Sequence, residues 1–189
     1  MKKLFSLLIV AFFSTAIFAQ TTWKVDPNHS KLTFSVTHLG ISDVAGLFKD
    51  FDVTVTTNKP DFSDAVFELT TAVKSIDTEI EMRDNHLRSA DFFDVEKFPE
   101  MTFKSNSIKK VSKDKYKLSG DLTLHGVTSP VTMDLWYRGS TTSNDKKVAG
   151  FQLTGVIKRS TFNIGPKFAP PMLSDAVNIK ADGEFLIKE

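Results

Sequence analysis

Four histidines, His29, His38, His86 and His125, are the side chains of this chain best suited to proton transfer or metal ligation. None stands in an H-E-x-x-H or H-x-H pattern, and no two lie four residues apart, so a metal site would need ligands converging from separate elements. The sequence contains no cysteine, which excludes thiolate zinc sites, Cys-ligated clusters, a Cys nucleophile and disulfides. It also lacks a G-x-S-x-G elbow and a Gly-rich phosphate loop. Asp26, His29 and Ser30 fall within D-P-N-H-S, a span so short that it suits hydrogen bonds capping a turn better than acyl transfer. The densest charged group is Arg83, Asp84, His86, Arg88 and Asp91. It reads first as a salt-bridge network, with Arg83, His86 and Arg88 as candidates to hold a polar ligand head. No catalytic residue, metal or cofactor is assigned.

The elements that would position these groups are strands. Residues 31–38 alternate strictly, with Leu32, Phe34, Val36 and His38 on one face and Lys31, Thr33, Ser35 and Thr37 on the other. Similar runs recur at about 47–57, 64–74, 100–110, 115–125, 130–139, 147–158 and 176–188. Turn residues separate them: Asn58-Lys59-Pro60-Asp61, Lys113-Asp114, His125-Gly126 and Ser143-Asn144-Asp145. Eight such strands, each with one apolar face, must close into a barrel or pair into a sandwich; their length favours an antiparallel barrel.

Two segments break the pattern. Residues 77–99 start with Thr78 and Glu81 in capping-box spacing and predict a short helix over about 78–92, covering one end of the barrel. Glu79 with Arg83, and Asp84 with Arg88, are spaced for i,i+4 ion pairs along it. Residues 159–175 hold Gly165-Pro166 and Pro170-Pro171, which exclude regular structure, yet carry Phe162, Ile164, Phe168, Met172 and Leu173. So apolar a loop is expected to pack over an opening.

Composition narrows the function. With 24 Lys+Arg against 23 Asp+Glu, the chain lacks the basic excess of a nucleic-acid binder. Residues 1–19 join a Lys2-Lys3 start to an apolar run ending at Ala19, the pattern of a cleaved secretory signal; its unbroken apolar core is too short for a membrane span. The rest, 20–189, forms one domain, expected in the periplasm and without stable membrane insertion. The oligomeric state stays open, a homodimer included. Export removes four of the 17 Phe, and those remaining still dwarf the 2 Tyr and 2 Trp. Phe is large, apolar and asks for no hydrogen bond, as the lining of a lipid site requires.

Several stretches together resemble the YceI-like family of periplasmic lipid-binding proteins. They are W-K-V-D-P-N-H-S (23–30), F-S-V-T-H-L-G (34–40), R-D-N-H-L-R-S-A-D-F-F-D-V (83–95), G-D-L-T-L-H-G-V-T (120–128) and R-S-T-F (159–162). The resemblance implies an all-β, eight-stranded, lipocalin-like antiparallel barrel that binds a long isoprenoid chain, such as a polyprenyl lipid or a quinone tail. The sequence departs from the family at Thr161 and Asn163, where Asp and Gly are usual.

Strand alternation then names the expected lining. Phe34, Val36, Phe67, Leu69 and Phe103 come from the first half of the barrel. Leu118, Leu122, Met133 and Leu135 come from the next two strands, and Phe151, Leu153, Ile179 and Phe185 from the last two. Phe92, Phe93, Phe162 and Phe168 are expected near the ends. About half of these are expected to be ordinary core. The leading function is non-enzymatic carriage or storage of an isoprenoid-type lipid. The alternative is a hydrolase or isomerase acting on a small apolar substrate at a His/Arg site near the barrel mouth.

Overall fold

The alternating runs pair with their neighbours in sequence, antiparallel throughout, until the last meets the first. A computed structural model describes residues 20–188; the export signal expected at 1–19 lies outside them. Strand β1 (Thr21–Val25) is followed after a 3-10 turn by β2 (Lys31–His38), then β3 (Ser42–Phe48), β4 (Phe51–Thr57) and β5 (Val66–Ala72). A two-residue β6 (Ile76–Asp77) and helix α1 (Glu81–Arg88) precede β7 (Glu100–Ser112). The chain ends in β8 (Lys115–Leu124), β9 (Val127–Ser143), β10 (Lys146–Lys158) and β11 (Leu173–Ile187). Strands β1, β4, β5 and β7 to β11 form a ring closed by β1 against β11. Strand β2 continues β1 along the same β11, β3 pairs with β2, and β6 with β3. The eight-stranded antiparallel barrel expected from alternation is present, with one wall divided between β1 and β2 and register shifts within β7, β10 and β11.

Those interruptions have local causes. At Pro27 the chain leaves the sheet, and the Asp26 side chain caps the 3-10 turn Pro27–His29 by accepting from Asn28 N–H at 3.0 Å. Sequence alternation missed β1 because its five residues stop at this turn. The hairpin turns fall where turn chemistry put them: His125, Asp114, Asn144 and Asp145 all have positive φ. Within β7 the register shifts between Ser105 and Ser107, so Phe103 and Ile108 both face inward although their numbers differ in parity.

The helix is shorter than the 78–92 expected. Thr78 does not cap it: Ile80 occupies the N-cap without a side-chain bond, and the Thr78 hydroxyl donates instead to buried Asp84, at 2.5 Å. Neither expected i,i+4 ion pair forms. Arg83 is drawn to the Thr78 hydroxyl and carbonyl, and Arg88 to the carbonyls of Lys74 and Ile76 and the Asn85 side chain. The break at Ser89 serves packing. Continued as a helix, residues 87, 92 and 93 would spread around the axis at about 100° per residue. The turn, with Phe93 N–H on Leu87 C=O and Asp94 N–H on Ser89 C=O, points Leu87, Phe92 and Phe93 into the barrel together.

The interior divides along its length. At the end away from α1, Trp23, Val55, Phe67, Tyr116, Leu118, Phe151 and Phe185 pack with Phe62, which the 58–65 loop turns inward. The Phe62 ring lies within 4.8–5.4 Å of Tyr137, Phe151 and Trp23, and the Tyr116 hydroxyl donates to Asp61 C=O at 2.5 Å. That half is filled. The half toward α1 is not.

Candidate functional site

A cavity of about 210 Å³ occupies the α1 half of the barrel. It exceeds the roughly 150 Å³ apolar void that stays dry and accepts benzene in an engineered protein. All thirteen residues that alternation placed on the barrel lining border it. Seven of them, Phe67, Leu118, Leu122, Met133, Leu135, Phe151 and Phe185, are also buried core. The other six, Phe34, Val36, Leu69, Phe103, Leu153 and Ile179, face inward yet keep intermediate exposure, because the space beside them is empty. Residues outside that expected lining complete the wall: Leu32 and Val177 lie in the same alternating runs, Ile164 and Leu173 come from the apolar 159–175 segment, and Phe48 depends on the tertiary path.

The groups expected at the ends separate. Phe92 and Phe93 border the cavity; Phe162, Phe168, His86, Arg83 and Arg88 do not. Phe162 is buried in the core beneath the 159–172 loop, and its carbonyl accepts from His125 Nδ1 at 3.0 Å. Phe168 stacks on the outer side of Phe92, with centroids 4.7 Å apart and planes 12° from parallel. The His86 ring meets both edge-on, at 5.0 and 5.6 Å. His86 is therefore a packing partner of the cover, not a wall of the cavity.

Arg159 is the polar residue that sequence reading overlooked, although it opens the R-S-T-F motif. It borders the cavity and is only 7% exposed. Its Nε donates to Ser174 C=O at 2.9 Å, Nη1 to Ile164 and Gly165 C=O at 2.9 and 2.7 Å, and Nη2 to Leu173 C=O at 3.0 Å and to Phe168 C=O. All five guanidinium N–H groups are thereby spent on the loop backbone. The same loop resolves the family departure at Asn163, which closes the 3-10 turn Arg159–Phe162 in the left-handed region, at φ 54°. Asn adopts that conformation far more readily than other non-glycine residues. Asn163→Gly is expected to leave stability within a few tenths of a kcal/mol, and Asn163→Ala to cost about 1–2 kcal/mol, as read from urea midpoints.

Titratable groups sit around the barrel's rim. Asp175 accepts from Ser160 N–H and Oγ–H, both at 2.9 Å, and these bonds hold its carboxyl below the ordinary 3.8. A carboxylate lowered on folding stabilises the fold above its unfolded value, and that contribution is lost as pH falls through the folded one. Acidification below the usual carboxylate range should therefore release the start of the 159–172 loop. Hydrogen exchange at the Ser160 amide is expected to report it, and Asp175→Asn to abolish this pH step. At the opposite seam, the Asp26 hydrogen bond to His29, 2.8 Å, raises the imidazole above 6.5 and lowers the carboxyl, as local turn bonding would.

The lining has almost no polar component. Ser30, Lys31, Thr33, Asp182 and Gly183 border the cavity where β1 gives way to β2, Arg159 borders it under the loop, and the remaining lining residues are apolar. A family model for the YceI-like domain matches residues 23–185. The chain belongs to the YceI-like family. Protein YceI of Salmonella arizonae is 38% identical over 175 residues, covering 90% of this chain and 91% of that relative. Among solved structures, BcnA of Burkholderia cenocepacia superimposes with a TM-score of 0.76 at 27% identity, over 87% of this chain and 99% of that one. The YceI protein of Campylobacter jejuni gives 0.75 at 35% identity, over 81% and 90%. A polyisoprenoid binding domain from Saccharophagus degradans, 15% identical with a TM-score of 0.67 over 88% and 98%, shares the fold. The YceI-like barrel is thus common to proteins of widely different sequence, and the cavity must be judged on its own lining.

Proposed function

We propose that this chain is an exported binding protein that holds a long, slender, isoprenoid-type lipid in its barrel, as a periplasmic carrier or reservoir. The observation that carries the reading is a cavity of about 210 Å³ walled by Phe, Leu, Ile and Val, with polar groups only at its margins. Burial contributes about 0.8 kcal/mol per methylene. Ten buried carbons would then give roughly 8 kcal/mol, the scale of micromolar affinity before ordering costs. The barrel it shares with a polyisoprenoid binding domain of Saccharophagus degradans agrees in fold, while the lining supplies the chemistry.

The enzymatic alternative lacks a constellation. No histidine borders the cavity among the described residues, and the one arginine that does has no free donor. Solvent extraction and native mass spectrometry of the purified protein should recover a lipid bearing repeated isoprene units, and N-terminal sequencing should start at Gln20. A protein that carries no lipid, and takes up none of a long-chain prenol offered in detergent, would sink the reading.

A further inference from the structure

The two halves of the barrel differ in how they could admit a ligand. The end away from α1 is filled around Phe62. The gap between β1 and β2 is stitched to the backbone of β11: Asp26 N–H donates to Glu184 C=O at 2.8 Å, and Glu184 N–H to the Ser30 hydroxyl at 3.1 Å. Over the cavity, by contrast, the α1 segment reaches the 163–172 loop through its side chains, with the Phe92 ring lying against Gly165. Their seam is the Phe92–Phe168 stack, the His86 edge contacts and the exposed Asp91–Lys167 ion pair at 2.7 Å. No backbone hydrogen bond joins the two segments among the described residues. An exposed ion pair closes a gap weakly, so the seam is the easiest way in.

Around that seam the surface turns apolar. Ile41 is 84% exposed and Met82 81%, and Leu39, Ile80 and Met172 are each about half exposed. Five of the nine exposed large hydrophobics thus gather at this one end, from the β2–β3 turn, the start of α1 and the close of the loop. At the close of the loop they adjoin the cavity lining directly. Met172 precedes the lining residue Leu173, and Leu39 N–H donates to Met172 C=O at 3.0 Å. On α1, Met82 lies five residues before the lining residue Leu87. A ring of this kind on a protein surface marks an interaction site. The charges beside it are the acids Asp43, Glu79 and Glu81, while Arg83 and Arg88 are engaged by the chain itself and Lys167 by Asp91. Among the described residues the apolar ring itself carries no cation to seek an anionic surface.

Resting on the lipid-holding reading above, we propose that the α1 end is the portal and that its collar, Leu39, Ile41, Ile80, Met82 and Met172, docks on a zwitterionic lipid bilayer. The lipid then passes through the Phe92–Phe168 seam. A cargo buried by its apolar area is scarcely soluble in water, so exchange at a membrane needs a surface that enters the interface without spanning it. No described helix is long and apolar enough to span.

The test is co-sedimentation with phosphatidylcholine vesicles of the parent protein and of Ile41→Asp/Met82→Asp, which share one N-terminus, so that a difference reports on the collar. We expect the variant to partition at least tenfold less, and the parent's binding to be insensitive to salt and to added phosphatidylglycerol. Uptake of a long-chain prenol should slow at least tenfold from vesicles and stay unchanged from detergent micelles. Equal partition of the two proteins, or parent binding that needs anionic lipid and fades with salt, overturns the proposal. So does a parent dimer that the double substitution turns into a monomer, which gives the collar to a second copy. Parent protein that takes up no prenol even from micelles overturns the lipid-holding reading instead, while the vesicle partition still decides the docking.

Discussion

Replacing Arg159 with Met is expected to lower the stability of the barrel by about 3–5 kcal/mol, the scale of leaving two or three buried carbonyls without a donor at roughly 1–3 kcal/mol each. The argument lies in the accounting of donors and acceptors. Arg159 is buried, and its five N–H groups serve five carbonyls between Ile164 and Ser174, a stretch that Pro166, Pro170 and Pro171 bar from pairing regularly. Each hydrogen bond to a charged group contributes roughly 1.5–3 kcal/mol. Simple summation overshoots, because a freed loop can turn some carbonyls to water. Met matches the length of the stem and removes every donor, so the loss isolates the guanidinium from its packing. Lys carries only three donors on one nitrogen and cannot span carbonyls on both sides; Arg159→Lys should recover less than half of the loss. Urea unfolding of the three proteins reads this directly. A loss under 1 kcal/mol for Arg159→Met would show that the loop holds itself by its apolar contacts alone.

That residue also marks the boundary of what the sequence discloses. Alternation is local, and wherever the pairing is regular it assigns faces correctly: Leu118, Leu122, Met133 and Leu135 needed nothing beyond a period of two. It placed Phe103 correctly because the β7 bulge lies beyond it, and would have misplaced a residue after Ser107. Turn residues were equally legible, since Asp114, Asn144 and Gly126 are chosen for backbone angles that do not depend on the rest of the fold. Phe62 and Arg159 were not legible. Phe62 plugs one end from a loop, where no periodicity exists, and Arg159 is read by five carbonyls, which leave no trace in side-chain type. The helix erred for a related reason. Thr78, Arg83 and Arg88 could satisfy local rules, yet Thr78 bonds the buried Asp84 of the helix itself, Arg83 turns to Thr78, and Arg88 reaches the carbonyls of Lys74 and Ile76.

Filling the cavity is expected to separate lining from core more sharply than any deletion. Leu69 and Ile179 face the empty space and keep exposure there, whereas Leu118 borders it but is fully buried. Each Leu69→Trp or Ile179→Trp substitution adds about one aromatic ring to the interior. A void of roughly 150 Å³ takes up one benzene, so the first such ring uses much of the 210 Å³ and the second leaves no room for a lipid chain. The double variant should hold its fold within about 1–2 kcal/mol, below the upper range of overpacking costs, because the added atoms enter vacant volume. Its affinity for a long-chain prenol should fall at least 100-fold, a loss of about 2.7 kcal/mol. Leu118→Trp should do the reverse: with no room beside it, it costs about 1–3 kcal/mol of stability and alters binding only through that damage. Fluorescence titration with the prenol and urea unfolding, run on all three proteins, read both axes. Undiminished binding in the Leu69→Trp/Ile179→Trp protein would place the lipid elsewhere and leave the Phe-rich faces as core alone. The contrast is physical: the same indole stabilises by contact where space is vacant and strains the wall where it is not.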